Sequence, residues 1–146
     1  MDPQTLFDVA STLAMLGWVA LALSPLAPRR LLPVGGVVLP LLVCVIYALA
    51  AVLYLPGAEG GFDTLDNVML LFSDRGATTV GWVHFLAFDL LVGGWIVRDA
   101  RARSVPHITL LPCLFVTLML GPVGLLAYLA LRSLWVTWQK RKVAFA

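Results

Sequence analysis

The sequence predicts an all-α membrane protein: a four-transmembrane-helix bundle with a short amphipathic interfacial helix between helices 2 and 3. Three observations lead there. Of the 146 residues, 61% are hydrophobic and 12% charged, with a mean hydropathy of +0.96, more apolar than a soluble domain of this size. Four apolar segments, roughly 6–23, 34–55, 79–97 and 108–131, each approach the length of about 20 residues that a helix needs to cross a hydrocarbon layer. Little chain is left between them, so residues 1–146 read as a single transmembrane domain.

Composition also excludes. A formal charge of +2, with no basic patch interleaved with aromatics, gives nucleic acid nothing to bind. Cys44 and Cys113 stand alone, without the spacing of a metal knuckle or a redox pair, and read as packing residues. The N-terminal MDPQ has no positive region and no cleavage signal, so the first span is expected to be retained. The expected location is multi-pass in a membrane, taken as the bacterial inner membrane, with lipid as the surrounding partner; a homo-oligomer is compatible with this pattern.

In order along the chain, the first span carries Asp8 near its start and stops at Pro25 and Pro28, before Arg29 and Arg30. The second holds Pro40, which removes a backbone donor and bends the helix, with Tyr47 and Tyr54 further along. The following connection is long and acidic. Within it Leu65, Val68, Met69 and Phe72 recur at i, i+3, i+4 and i+7, the pattern of a short amphipathic helix capped by Asp63 or Thr64, lying over the mouth of the bundle as a connector or a lid.

The third span leaves through Arg98, Arg101 and Arg103, and the fourth is interrupted by Gly121, Pro122 and Gly124. Basic first and third connections place those loops on the cytoplasmic side by the positive-inside tendency. The tail conflicts: with four spans, Lys140, Arg141 and Lys142 fall on the opposite side.

The third span contains His84 and Asp89, ionisable groups that are costly in hydrocarbon and therefore candidates for function. At i and i+5 they are roughly 140° apart around a helix and about 7.5 Å apart along it, so they do not pair directly. They line opposite walls of a broad pocket, or each has a partner on another helix; Gly93 and Gly94 permit close helix approach. Aligning spans three and four as an antiparallel pair sets Pro122 level with His84 and Thr117 level with Asp89, and brings Asp8, Asp66 and Asp74 to the acidic end. Purely structural alternatives are a hydrogen bond from His84 to a span-four carbonyl and a protonated, packed Asp89. Asp99, among arginines, reads as an ion-pair or helix-end residue and His107 as interfacial. Trp82 and Trp95 suit an interfacial belt or contact with a flat ligand.

The arrangement Trp82-x-His84, Asp89-Leu90 and Asp99 resembles the abscisic-acid-deficient-four-like membrane proteins, whose plant members are neoxanthin synthases. Phe72-Ser73 and Pro122-x-Gly124 extend the likeness over roughly 65–131, with the first two spans similar only in hydrophobic character. The resemblance implies a four-helix membrane protein acting on a carotenoid or other isoprenoid, in plants by turning the epoxide of violaxanthin into the allene of neoxanthin. It implies His84 and Asp89 as catalytic groups, Trp82, Phe72, Trp95 and Pro122 as substrate contacts, and Asp66 and Asp99 in support.

Opening an epoxide to an allenic alcohol is an isomerisation in which one group protonates oxygen while another removes a proton from carbon. It requires no cofactor, in keeping with a sequence that carries no nucleotide or flavin motif. A second reading makes His84, Asp89 and Asp66 ligands of iron or another transition metal for oxidative carotenoid cleavage to retinal-type products. A third is a non-catalytic carotenoid-binding or assembly module.

Overall fold

The computed structural model describes residues 2–144 of the chain. All its regular elements are helical, and three are long and apolar enough to cross a membrane: Pro3–Ala22, Pro28–Gly57 and Arg75–Ala102. Helix α1 is Pro3–Ala22, with proline in its first turn where a missing N–H costs nothing. Helix α2, Pro28–Pro33, runs through a π-helical turn at Val34–Val38 into α3, Leu39–Tyr54, and a short 3-10 turn, Leu55–Gly57, ends this span. Helices α4, Leu65–Leu71, and α5, Arg75–Ala102, follow, each started by a side-chain cap: Thr64 accepts from the Asn67 N–H and Asp74 from the Ala77 N–H.

Helix α5 is the axis of the molecule and packs against α1, α3 and α6. Hydrocarbon gives helices no hydrophobic reason to associate, so close packing has to hold them. Small residues provide it, as expected for Gly93 and Gly94: a Cβ added to Gly94 would lie 2.7 Å from the Gly36 Cα, so any side chain there would separate α5 from the second span.

Pro40 perturbs the second span as anticipated, and the consequence is specific. Having no N–H, it cannot bond the carbonyl of residue 36 one turn back. The π-helical turn forms beside it, with the Leu39 N–H reaching back to the Val34 carbonyl. The Gly36 oxygen instead accepts from Arg98 Nη1 at 2.9 Å, tying this break to α5.

The fourth span differs from expectation. Helix α6, His107–Leu120, has 14 residues and is too short to cross; α7, Pro122–Ala144, then folds back along it. Two observations require the reversal. A Cβ on Gly124 would collide with the Thr117 backbone nitrogen and Cα, atoms that a continuing helix would leave about 10 Å away. The Tyr128 hydroxyl reaches Asp99 Oδ2 at 2.5 Å and Arg132 Nη1 reaches it at 3.4 Å, although Asp99 lies about 15 Å below the turn. Gly121 makes the turn, with φ 43° and ψ −98°, a conformation that suits glycine, and Pro122 begins the new helix at its first position. The expected single span at 108–131 is therefore a helical hairpin entering and leaving at the same end. The alignment shifts with it: the turn meets Asp89 rather than His84.

This hairpin removes the charge conflict. Arg29, Arg30, Arg98, Arg101, Arg103, Arg132, Lys140, Arg141 and Lys142 now share one end, while Asp2, Asp8, Glu59, Asp63, Asp66 and Asp74 lie at the other with Arg75.

Helix α4 forms where the periodicity predicts, but its inner face differs. Leu71 is the buried residue, whereas Leu65 and Met69 are 74% and 64% exposed. The helix is two turns long, and the hydrogen bond from the Gly61 N–H to the Asn67 carbonyl folds the preceding loop onto it; of the expected stripe Phe72 faces the bundle, joined by Leu71, while Leu65 and Met69 point away.

Candidate functional site

His84 stands on α5 on the side facing α3. Its ring meets Tyr47 edge-on, with centroids 5.3 Å apart, and stacks on Phe88 at 4.7 Å and 29°. The expected alternative, a bond to a span-four carbonyl, is not formed, because the hairpin stops below this level. Beside the imidazole lies a cavity of about 190 Å³. Tyr47 and Leu55 wall it from the second span, Phe62, Leu71 and Phe72 from the acidic connection, and Ala77, Val80 and Gly81 from α5. Phe72 comes over α5 because Gly81 has no side chain; an added Cβ would collide with the Phe72 ring. The cavity is only somewhat larger than an apolar cavity of about 150 Å³ known to hold benzene, and smaller than the roughly 300 Å³ at which pockets for drug-sized ligands begin. Among the described residues His84 is the only imidazole or carboxylate in its otherwise mainly apolar lining.

Asp89 is half-buried and does not line this cavity. Its carboxylate faces the hairpin turn, where a Cβ on Gly121 would come 2.6 Å from Oδ1 and 3.3 Å from Cγ. Gly121 immediately precedes α7, so the carboxylate sits beside the start of that helix, where the helix dipole favours negative charge.

The two groups are thus separate, but they bound one face. On a helix advancing 100° per residue, Gly81, Phe85, Phe88 and Val92 all fall within the arc between His84 and Asp89. Phe85 and Phe88 are 59% and 55% exposed. Below Asp89 the hairpin packs against α5; above it the aromatic face is open to lipid, bordered by the His84 cavity on one side and the hairpin turn at its foot.

The other expected site residues divide by position. Phe72 lines the cavity, and Pro122 forms the turn beside Asp89. Trp82 borders the open face and packs on Phe7 of α1, with ring centroids 5.8 Å apart. Trp95 lies below the turn, edge-on to Tyr128 at 5.8 Å, away from the cavity. Asp99 is the ion-pair residue it was expected to be: it accepts from Arg103 Nε at 2.9 Å, from Arg132 and from Tyr128. His107 Nε2 lies 3.0 Å from the Ala22 carbonyl, joining α6 to the end of α1. Asp66 is exposed on α4, Asp8 accepts from Gln4 at 2.9 Å and Asp74 caps α5, so the acidic groups do not converge. His84, Asp89 and Asp66 are not brought together, and among the described residues no three His, Cys, Asp or Glu side chains are placed to share a metal ion.

Sequence reasoning overlooked Phe62, Gly81 and the part played by Tyr47. Gly81 carried a usable signal, one turn before His84 and between the large side chains of Val80 and Trp82.

Fold and site together define a helical membrane protein with three apolar spans and a small, mainly apolar recess beside His84. The chain belongs to the ABA DEFICIENT 4-like family, which matches residues 5–128. That match takes in the first two spans as well, a wider likeness than the motifs of the second half convey. The family associates this membrane protein with carotenoids, the neoxanthin branch in particular. No curated protein and no solved structure matches the chain.

Proposed function

We propose that the protein is a carotenoid-modifying membrane enzyme, similar to neoxanthin synthase, acting on the ring end of a polyene or its epoxide by acid–base isomerisation. The observation that carries this reading is the ring-sized cavity at His84 opening beside an exposed aromatic face that ends at Asp89. The cavity receives the end ring, and the polyene leaves along Phe85 and Phe88 into the bilayer. His84, the group at the cavity, protonates the epoxide oxygen or takes the proton from the neighbouring chain carbon; the complementary step is assigned to Asp89, which lies outside the cavity at the foot of the aromatic face. The C–O bond breaks, the allene forms, and no net proton or electron is consumed.

By the positive-inside tendency the basic end is cytoplasmic, which assigns the His84 cavity to the outer half of a bacterial inner membrane. A ring-sized cavity favours chemistry at the end of a carotenoid over cleavage at its middle.

The test is expression in carotenoid-producing bacteria supplied with ring-ended carotenoids and their epoxides, with pigments compared by chromatography. An isomer of unchanged mass formed by the parent protein, and lost in His84→Ala and Asp89→Asn at equal membrane levels, supports the proposal. Shortened apocarotenoids would instead indicate oxidative cleavage, and a pigment that co-purifies unchanged would indicate a binding module.

A further inference from the structure

We infer that the C-terminal arm of α7, from Ser133 onward, is an anchor for anionic phospholipid headgroups. Arg132 and Arg103 meet on Asp99 close to the last turn of α5, and α7 continues for 12 residues past that point, about 18 Å. This arm lies beyond the part of the chain that the family matches, which ends at Tyr128.

Its surface combines two chemistries. Leu134, Trp138 and Arg141 follow at i, i+4 and i+7 and share one side of the helix; Leu134 is 72% exposed and Trp138 46%. The Trp135 and Trp138 rings lie 5.0 Å apart, and the Lys142 ammonium sits 4.0 Å from the Trp138 ring. Tryptophan beside exposed leucine suits the boundary between headgroups and acyl chains.

The charge has no counterpart within the arm. After Asp99 the sequence contains no acidic residue, yet it carries Arg101, Arg103, Arg132, Lys140, Arg141 and Lys142, and Arg29 and Arg30 lie at the same end. Asp99 engages two of these arginines, and among the described residues the cluster at 140–142 has no Asp or Glu partner. An anionic lipid surface meets both requirements, phosphates for the bases and an interfacial layer for the rings.

The experiment places the full chain in nanodiscs of phosphatidylcholine, alone or mixed with phosphatidylglycerol, and reads amide hydrogen exchange over residues 133–142. Phosphatidylglycerol is expected to slow exchange there by about five-fold for each basic residue engaged, and high salt to reverse it. The triple variant Lys140→Glu, Arg141→Glu, Lys142→Glu should lose the lipid dependence while exchange in α5 stays unchanged. Equal exchange of the parent protein in both lipids overturns the inference without recourse to any variant. So does a triple variant that keeps the full difference.

Discussion

Towards its basic end α5 is fixed by directional polar contacts, Arg98 to the Gly36 carbonyl and Asp99 to Tyr128, Arg103 and Arg132, whereas towards its acidic end His84, Phe85 and Phe88 meet their neighbours only through ring faces and edges. Directional polar contacts specify one register, because a displaced donor or carboxylate loses a charge-assisted bond that depends on distance and angle. Ring contacts tolerate sliding and repacking. The lower half therefore sets where the hairpin turn stands against Asp89, and the upper half is left able to admit a ligand. Specificity of assembly and access for substrate are divided along one helix.

The sharpest way to break that division is at the hairpin. Gly124→Leu would drive a side chain into the Thr117 backbone, which cannot withdraw without opening α6 from α7. We expect a loss of about 3 kcal/mol or more, read as a collapse of thermal stability in detergent. The same hairpin predicts that cysteines at 103 and 142, in a variant without Cys44 and Cys113, react with a membrane-impermeant reagent from the same side. Labelling from opposite sides would restore a fourth span and undo the comparison.

Next in size is the polar lock. Asp99→Asn leaves the Arg132 and Arg103 guanidiniums without their carboxylate and weakens the bond from Tyr128, with an expected cost of about 2 kcal/mol; Tyr128→Phe removes one charge-assisted bond and costs about 1 kcal/mol less. Both effects should appear in thermal unfolding, in that order. Equal stability of all three proteins would show that the lower half is held by packing alone.

How far the sequence reached follows the same division. Hydrophobic length and period revealed the apolar segments, the cap of α4 and the effect of Pro40, since these are local properties. The Gly-Pro-x-Gly cluster was visible, but its outcome was not, because a kinked span and a reversed one share the same local residues. Asp99 accepting from Tyr128 decides between them, and those positions are 29 apart in sequence. Tail charge was the one sequence signal of the reversal: Lys140, Arg141 and Lys142 conflicted with any fourth crossing. At the site, spacing correctly denied a direct contact between His84 and Asp89. It did not reveal that His84 borders a cavity and Asp89 a helix start, because those surroundings come from α3 and α7.

The smallest structural effect is expected in the upper half, where it separates ligand access from stability. Gly81→Leu would push the Phe72 ring aside and occupy the cavity while burying no charge, with the Phe72 carbonyl still held to α5 by Thr78 Oγ1 at 2.6 Å. The Phe72 ring is 42% exposed and can turn outward on its side-chain torsions, so the thermal midpoint should change by only a few degrees. Turnover of a ring-ended carotenoid, in contrast, should fall at least ten-fold, through a raised KM if the ring still enters and through kcat if it enters out of reach of His84. Asp66→Asn, on the outer side of the same connection, is the matched control and should change neither quantity. If Gly81→Leu lowers the midpoint as far as Asp99→Asn does, the acidic half is as firmly specified as the basic half, and the division of labour along α5 is lost.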